Sequence, residues 1–222
     1  MLASTHYTVS NDLLQRAILE IPEFDVSIDL NYRTGNFFYD QWLVSDRFEN
    51  TVWEEVLNSL PEDIGQARLI KLKPEECYRS HADIDDRYHL SIVGDKSYLV
   101  DLDNNTMHST IVDGRWYLMD AGKRHSAVNF GGQTRIQLVI RKLLSPGKIE
   151  NSQTVKLSLE NHISNFRYVF DDTISPWLNK VNKQGQLNDF RIISESDVSF
   201  TIDKNLMPEL IKICPSEFKI IL

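Results

Sequence analysis

The sequence is poor in the residues that mark disulfide-rich, membrane-spanning and secreted proteins. It has only 2 cysteines, Cys77 and Cys214, which lie far apart and form no Cys-x-x-Cys pair. Two solitary thiols give neither a disulfide framework nor a zinc signature, and they fit a reducing compartment. No stretch approaches the roughly 18 consecutive apolar residues of a membrane span, and the first residues lack a signal-peptide pattern. We therefore predict a cytoplasmic protein with no membrane partner.

Basic charge is also scarce. The chain has 24 lysines and arginines against 32 aspartates and glutamates, with a formal net charge of −8. This balance argues against nucleic acid as the main partner. A hydrophobic content of 41% and a length of 222 residues suit one soluble globular domain, perhaps with a small appendage. The pattern does not indicate an oligomeric state.

Apolar spacing predicts helices at both ends of the chain and strands between them. The spacing is helical at residues 11–21, 51–60 and 154–170 and at about 206–213. From about residue 65 to 144 the chain instead alternates in short segments, with turn signals roughly every eight to twelve residues. Such a run of short strands is typical of a sandwich, a barrel or a jelly roll.

Two histidines and an aspartate in this β-region have the chemistry of an iron site. They are His81 and Asp83, separated by one alanine, and His125, with 41 residues between Asp83 and it. Two imidazoles and one carboxylate can bind one face of an octahedral Fe(II) and leave three positions open. His81 and Asp83 share parity, so an extended chain would project both from one face. A solvated loop rich in aspartate is the alternative reading of this short motif.

Cationic residues on neighbouring strands favour the metal hypothesis. Arg135 follows His125 by ten positions, and a guanidinium can bind a carboxylate through two parallel hydrogen bonds. Arg87 and His89 share one side of a strand whose other side is apolar. A jelly roll whose interior binds a dianion, and whose outer face is covered by helices, explains such a strand. A polar strand face that binds nothing remains the alternative.

This set of residues resembles the Fe(II)/2-oxoglutarate-dependent oxygenases, which use a double-stranded β-helix. More narrowly, residues 87–90 and 114–140 resemble the aspartyl/asparaginyl β-hydroxylase family and its proline-hydroxylase-like bacterial relatives. The resemblance covers about residues 65–144. The aspartyl hydroxylases proper have a glycine at the position of Asp83, so the complete ligand set leans toward the wider group, which includes free-amino-acid proline hydroxylases.

The resemblance implies a ligand set for Fe(II) and one for 2-oxoglutarate, with O2 as the other substrate. The residues that would bind Fe(II) are His81, Asp83 and His125. Arg135 would bind the distal carboxylate of 2-oxoglutarate, while Arg87 and His89 would help to hold its other end near the metal. No substrate-binding residue is indicated.

The predicted fold is mainly β with flanking helices around a jelly-roll, cupin-like core. Residues 1–150 would hold the N-terminal helices and the catalytic core (about 65–144), and residues 151–222 a helical or mixed extension packed on the core. The implied function is a dioxygenase that hydroxylates an amino-acid side chain of the Asp/Asn type in a peptide or protein. The alternatives are a free L-proline-type amino-acid hydroxylase, a non-catalytic jelly-roll module that binds a metal or ligand, and a cupin-like metalloenzyme without 2-oxoglutarate.

Overall fold

The computed structural model describes residues 2–159 and 166–222. Its strands are β1 Leu2–Thr8, β2 Ser27–Asp29, β3 Asn31–Arg33, β4 Trp42–Val44, β5 Ile64–Leu72, β6 Arg87–Val93, β7 Ser97–Asp101, β8 Thr106–Ser109, β9 Arg115–Met119, β10 His125–Asn129, β11 Arg135–Lys142, β12 Ser152–Leu159, β13 Leu187–Ile192, β14 Asp197–Asp203 and β15 Phe218–Ile221. Its helices are α1 Asn11–Leu19, α2 Val52–Asn58, α3 Phe166–Val169, a π-helical segment Phe170–Ile174, α4 Ser175–Lys183, a 3-10 turn Lys204–Leu206 and α5 Met207–Ile213.

The chain forms two compact units. The first consists of Met1–Ser80, Asp86–Asp120 and His125–Leu143. The second consists of Leu144–Leu222 together with two short segments of the β-region, His81–Asp85 and Ala121–Arg124. None of the helices in the described part of the chain is long and apolar enough to cross a membrane.

The first unit contains the two-stranded sheet β3-β4 and two longer antiparallel sheets. The larger has the strand order β1-β9-β6-β11-β5-β2, and the smaller has the order β10-β7-β8. Cys77 forms a β-bridge with Val128 of β10 and so extends the edge of the smaller sheet. Along the chain, β5, β6, β9 and β11 join the larger sheet, whereas the segment at Cys77, β7, β8 and β10 join the smaller one. This interleaving is that of a jelly roll and confirms the predicted double-stranded β-helix.

Helices α1 and α2 cover one side of the larger sheet. Each begins at a side-chain cap, since Ser10 accepts a hydrogen bond from the Leu13 N–H and Thr51 from the Trp53 N–H. Both helices share a single apolar core with the sheet. The core residues from β6 and β11 are Tyr88, Leu90, Ile92, Ile136, Leu138 and Ile140. The predicted helices at residues 11–21 and 51–60, and their role as covers, are confirmed.

The C-terminal part of the second unit is an antiparallel sheet with the order β13-β14-β12-β15. Aromatic side chains fill its core: the Phe190 ring centroid lies 6.2 Å from that of Phe170 and 6.3 Å from that of Phe200. The helix predicted at about residues 206–213 is confirmed as α5.

The helix predicted at residues 154–170 is wrong in its first part, where the chain forms β12. Val155, Leu157 and Leu159 are buried and the residues between them are not. That period of two is the alternation of a strand, and the apolar residues at positions 157 and 159 already carried it. Residues 160–165 lie outside the described part of the chain, and helical structure begins at Phe166.

Candidate metal and co-substrate site

The three predicted metal ligands lie together. One ligand atom from each of His81, Asp83 and His125 is within 4.8 Å of the other two. His81 Nε2 lies 3.8 Å from Asp83 Oδ2. His125 is buried, and the other two side chains are partly exposed. Two imidazoles and one carboxylate at this spacing suit three donors that each approach one ion to about 2 Å, and the donor set is that of non-haem Fe(II) sites with open positions. These residues therefore fit Fe(II).

The local chain explains why His81 and Asp83 lie on the same side. They alternate with Ala82 and Ile84, whose side chains are both buried. In an extended segment the buried residues face one way and the residues between them face the other. The parity predicted from the sequence is therefore what the structure has.

Arg87 and His89 lie on the side of β6 opposite the helices, and both are buried, with 4% and 6% of their surface exposed. Ser91 shares this side and is also buried. Strand β11 lies beside β6 and adds Arg135 and Gln137 to the same polar face, with exposed fractions of 2% and 1%. Both sides of the larger sheet are thus buried, one against apolar helices and the other around charged and polar groups.

Gln137 connects the polar residues of the two strands. Its side-chain oxygen accepts a hydrogen bond from Arg135 Nη2 and lies 3.1 Å from His89 Nδ1. Its amide nitrogen donates to Ser91 Oγ at 3.0 Å. An arginine can only donate, so the oxygen must be the acceptor and His89 Nδ1 must carry the proton. In neutral His89 the other ring nitrogen, Nε2, then presents a lone pair.

His89 is neutral in this environment. Burial lowers the pKa of its imidazole to about 3, and the positive charges of Arg135, His125 and Arg87 act in the same direction, against a raising contribution from the hydrogen bond with Gln137. Its Nε2 atom is buried and has no hydrogen-bond partner among the described residues. A buried nitrogen without a partner indicates a place for a ligand or an ordered water.

Arg135 is a buried cation without a carboxylate partner among the residues that the structure describes. Burial lowers the pKa of its guanidinium to about 10, with a smaller opposing effect of Tyr78, so the group remains charged at neutral pH. Its Nε atom is buried and makes no hydrogen bond in the described part of the chain. A charge removed from water requires a counter-charge, and the pocket around Arg135 therefore suits an anion.

Sequence reasoning missed two residues of this pocket, Gln137 and Tyr78. Gln137 is two positions after Arg135 on the same strand and so shares its face, which is a signal that the sequence offered. Tyr78 donates its hydroxyl proton to the Lys71 carbonyl at 3.1 Å, and burial raises the pKa of its phenol while the charge of Arg135 lowers it. Only the folding of two sheets together brings Tyr78 close to Arg135.

A jelly roll with this donor set defines a class of metal-dependent enzymes, and comparison with known families narrows it. Residues 45–143 match the family model described as aspartyl/asparaginyl beta-hydroxylase. The match confirms the resemblance found in the residues: this part of the chain is similar to the aspartyl/asparaginyl β-hydroxylases, which are dioxygenases of the Fe(II)- and 2-oxoglutarate-dependent type. Iron, 2-oxoglutarate and O2 are the general requirements of such enzymes. No curated protein sequence matches the chain.

Three solved structures are similar to parts of the chain. A 2OG-Fe(II) oxygenase-family oxidoreductase from Burkholderia pseudomallei is 10% identical over 59% of this chain and 75% of its own, with a TM-score of 0.39. The Drosophila melanogaster CENP-C cupin domain is 13% identical over 59% and 94%, with a TM-score of 0.31. CapF bound to 3-isopropenyl-tropolone is 14% identical over 38% of this chain and only 27% of its own, with a TM-score of 0.30. At these scores none of the three supports a conclusion about function.

Proposed function

We propose that this protein is a dioxygenase that binds Fe(II) and 2-oxoglutarate and hydroxylates an amino-acid side chain, with an Asp/Asn-type residue of a peptide or protein as substrate. The observation that carries the proposal is Arg135, a buried guanidinium without a carboxylate partner among the described residues. A dicarboxylic co-substrate supplies the missing negative charge. A jelly-roll module that binds no anion has no use for such a group.

His81, Asp83 and His125 are the residues that would hold the metal. When bound, Fe(II) supplies the redox chemistry that couples O2 reduction and 2-oxoglutarate decarboxylation to hydroxylation of a C–H bond. His125 begins β10, where it lies opposite Asp101 of β7, so one ligand is held by the smaller sheet. His81 and Asp83 project together from the segment His81–Asp85.

The polar face of β6 and β11 would bind and orient the co-substrate. Arg135 would hold the distal carboxylate through charge-assisted hydrogen bonds, and Gln137 fixes one edge of its guanidinium. Arg87 would contact the other end, close to the metal, and His89, whose Nε2 can only accept a hydrogen bond, would help to hold it through an ordered water. The apolar core on the opposite side of the sheet keeps these strands rigid and excludes water from behind the pocket.

A second candidate function is hydroxylation of a free amino acid of the L-proline type. The observation that favours it is Asp83, because its carboxylate lies with both histidines where the aspartyl hydroxylases proper have a glycine. Both candidates use the same residues and cofactors and differ only in the substrate. Cys77 and Cys214 are both free thiols, which supports a reducing, cytoplasmic compartment for either candidate.

The test is anaerobic addition of Fe(II) and 2-oxoglutarate, followed by succinate release under O2. We expect a weak visible charge-transfer band on mixing, and succinate formation that increases with the right substrate among free amino acids and short Asp-, Asn- and Pro-containing peptides. Peptide-dependent turnover supports the first candidate, and turnover with free proline supports the second. Absence of both the band and succinate would exclude the oxygenase function.

Substitution of Arg135 by lysine tests the assigned anion site. A point charge cannot reproduce the bidentate geometry, and a charge-assisted contact contributes about 1.5–3 kcal/mol, so affinity for 2-oxoglutarate should fall by roughly 10-fold or more. Binding of Fe(II) alone should not change. The matched control is Arg115→Lys at the exposed start of β9, which should leave both affinities as they are.

A further inference from the structure

The second unit contains two segments that the proposed metal site depends on. His81–Asp85 carries two of the three proposed ligands, and Ala121–Arg124 leads directly into the third, His125. The two segments are hydrogen-bonded to each other, since the Asp83 N–H donates to the Ala121 carbonyl at 2.8 Å. Whatever holds the first segment therefore sets the position of His81 and Asp83.

A side chain of α4 contacts both segments. Asn179 is buried, and its Nδ2 donates to the Ile84 carbonyl at 3.2 Å. The same side chain packs against the backbone at Gly122. A Cβ atom added there would lie only 2.8 Å from Asn179 Cβ and closer still to the end of its side chain, so the absence of a side chain at position 122 is required by Asn179.

The π-helical segment that precedes α4 makes a second contact. Its last turn is shifted, because the Ser175 N–H donates to the Phe170 carbonyl, five residues back, instead of to Asp171. The next hydrogen bond of this five-residue spacing would run from residue 176 to the Asp171 carbonyl, but residue 176 is a proline and has no N–H. The Asp171 carbonyl accepts instead from the Ala82 N–H at 3.2 Å. Ala82 is the residue between the two proposed ligands of the segment.

These contacts hold the backbone on both sides of Asp83. The side chains of Ala82 and Ile84 are buried, the Ala82 N–H donates to the Asp171 carbonyl, and the Ile84 carbonyl accepts from Asn179. We propose that Asn179 is a positioning residue for the metal centre, assisted by the Asp171 carbonyl, and that the C-terminal extension thereby preorganises the ligands. This inference rests on the proposed function for the identity of the site.

The family match ends at residue 143. The positioning contacts come from residues 171 and 179, so they belong to this chain's own extension and not to the segment that resembles the family. An extension that only covered the surface would need no buried asparagine aimed at a backbone carbonyl, because an apolar residue there would avoid the cost of burying an amide.

The decisive experiment compares Asn179→Leu with Asn182→Leu in the full chain. Asn182 lies on the same helix, and its Oδ1 has no hydrogen-bond partner in the described part of the chain. The probe is Mn(II), titrated into metal-free protein by calorimetry. Loss of a residue that supports a metal ligand typically costs 10–100-fold in metal affinity, so we expect a loss of about 10-fold or more for Asn179→Leu. We expect little change for Asn182→Leu.

Amide hydrogen exchange gives a readout that needs no metal. In the metal-free protein, the amides of Ala82 and Asp83 should be protected, and the protection should be lost in Asn179→Leu while that of α5 remains. Equal Mn(II) affinity and unchanged exchange in Asn179→Leu would overturn the inference. If the unchanged protein binds no Mn(II), the proposed function fails, and the exchange measurement still decides whether Asn179 holds the segment.

Gly122→Ala provides an independent check, because it disturbs the same contact from the other side. It should also weaken Mn(II) binding. Its effect should be smaller when combined with Asn179→Ala, because alanine lacks the Oδ1 and Cγ atoms that make the two closest contacts. Additive losses in the double variant would show that the two residues act separately and would count against the proposal.

Discussion

The two sides of the larger sheet in the first unit are both buried, yet they have opposite character. On one side of β6 and β11, Leu90 and Leu138 pack with helices α1 and α2. On the other side, Arg135, His89 and Gln137 are buried at similar levels but satisfy one another only in part. Alternate residues of the same strands therefore lie in environments that affect the free energy of folding very differently.

The two sides of the sheet differ in what they contribute to folding stability and to ligand binding. Burying apolar side chains is the main favourable contribution to folding, whereas a buried cation without a counter-charge opposes folding. Burial of the polar side lowers the free energy of unfolding, and the proposed anion site would explain why the fold retains it. A substitution on one side of the sheet can therefore be tested for its effect on the other side.

The largest effect on stability is expected from Leu138→Ala on the apolar side. Leu138 is fully buried, and truncation of such a residue costs about 2–5 kcal/mol through lost burial and the cavity left behind. Denaturant unfolding measures this loss. At temperatures where the variant is folded, its affinity for 2-oxoglutarate should equal that of the unchanged protein. A large loss of affinity would show that the two sides are coupled.

His89 should make the protein acid-sensitive. Burial lowers the pKa of its imidazole from an ordinary value of 6.5 to about 3. Between these values the unfolded chain binds a proton that the folded chain does not, so the contribution to stability is complete above pH 6.5 and is lost as the pH falls. The slope is about 1.4 kcal/mol per pH unit, or about 2 kcal/mol by pH 5.

Denaturation of the metal-free protein between pH 7 and pH 5 measures this contribution. In His89→Asn, the free energy of unfolding should change less steeply with pH, by the equivalent of about one bound proton. His108→Asn on β8, where the histidine is only partly buried, is the matched control. Parallel pH profiles for His89→Asn and the unchanged protein would contradict a neutral, buried His89.

The smallest effect, and the one with the opposite sign, is expected from Arg135→Met. Replacing a buried charge by an apolar side chain of similar size is often neutral or stabilising. We expect the free energy of unfolding to stay the same or to rise by about 1 kcal/mol, while 2-oxoglutarate binding is lost. A clear destabilisation would indicate that Arg135 serves the fold rather than a ligand.

The sequence was sufficient to predict the jelly roll and most of the residues that line the candidate pocket. The period of two in β6 placed Arg87 and His89 opposite Tyr88 and Leu90, and this local rule holds wherever a strand is buried on both sides. The same rule would have added Gln137 from its spacing to Arg135. It also applied to Leu157 and Leu159, where the helical interpretation of residues 154–170 overlooked it.

Contacts between segments distant in the chain were not predictable. Nothing near position 78 indicates that Tyr78 lies close to Arg135, because that proximity arises from two sheets folding together. In the same way, no spacing connects Asn179 to Ile84 or to Gly122. Sequence patterns report which face of an element a residue occupies, but the partner of that face is decided by the tertiary fold.

The division of the β-region between the two units has a practical consequence for anyone who shortens this protein. A truncation at Leu143 would follow the limit of the family match and would retain His125 and Arg135. It would also remove the helix that holds His81–Asp85 in place. We expect such a fragment to keep its anion pocket and to lose a defined metal centre. The stretch of chain that is similar to the family is therefore shorter than the stretch on which the proposed metal centre depends.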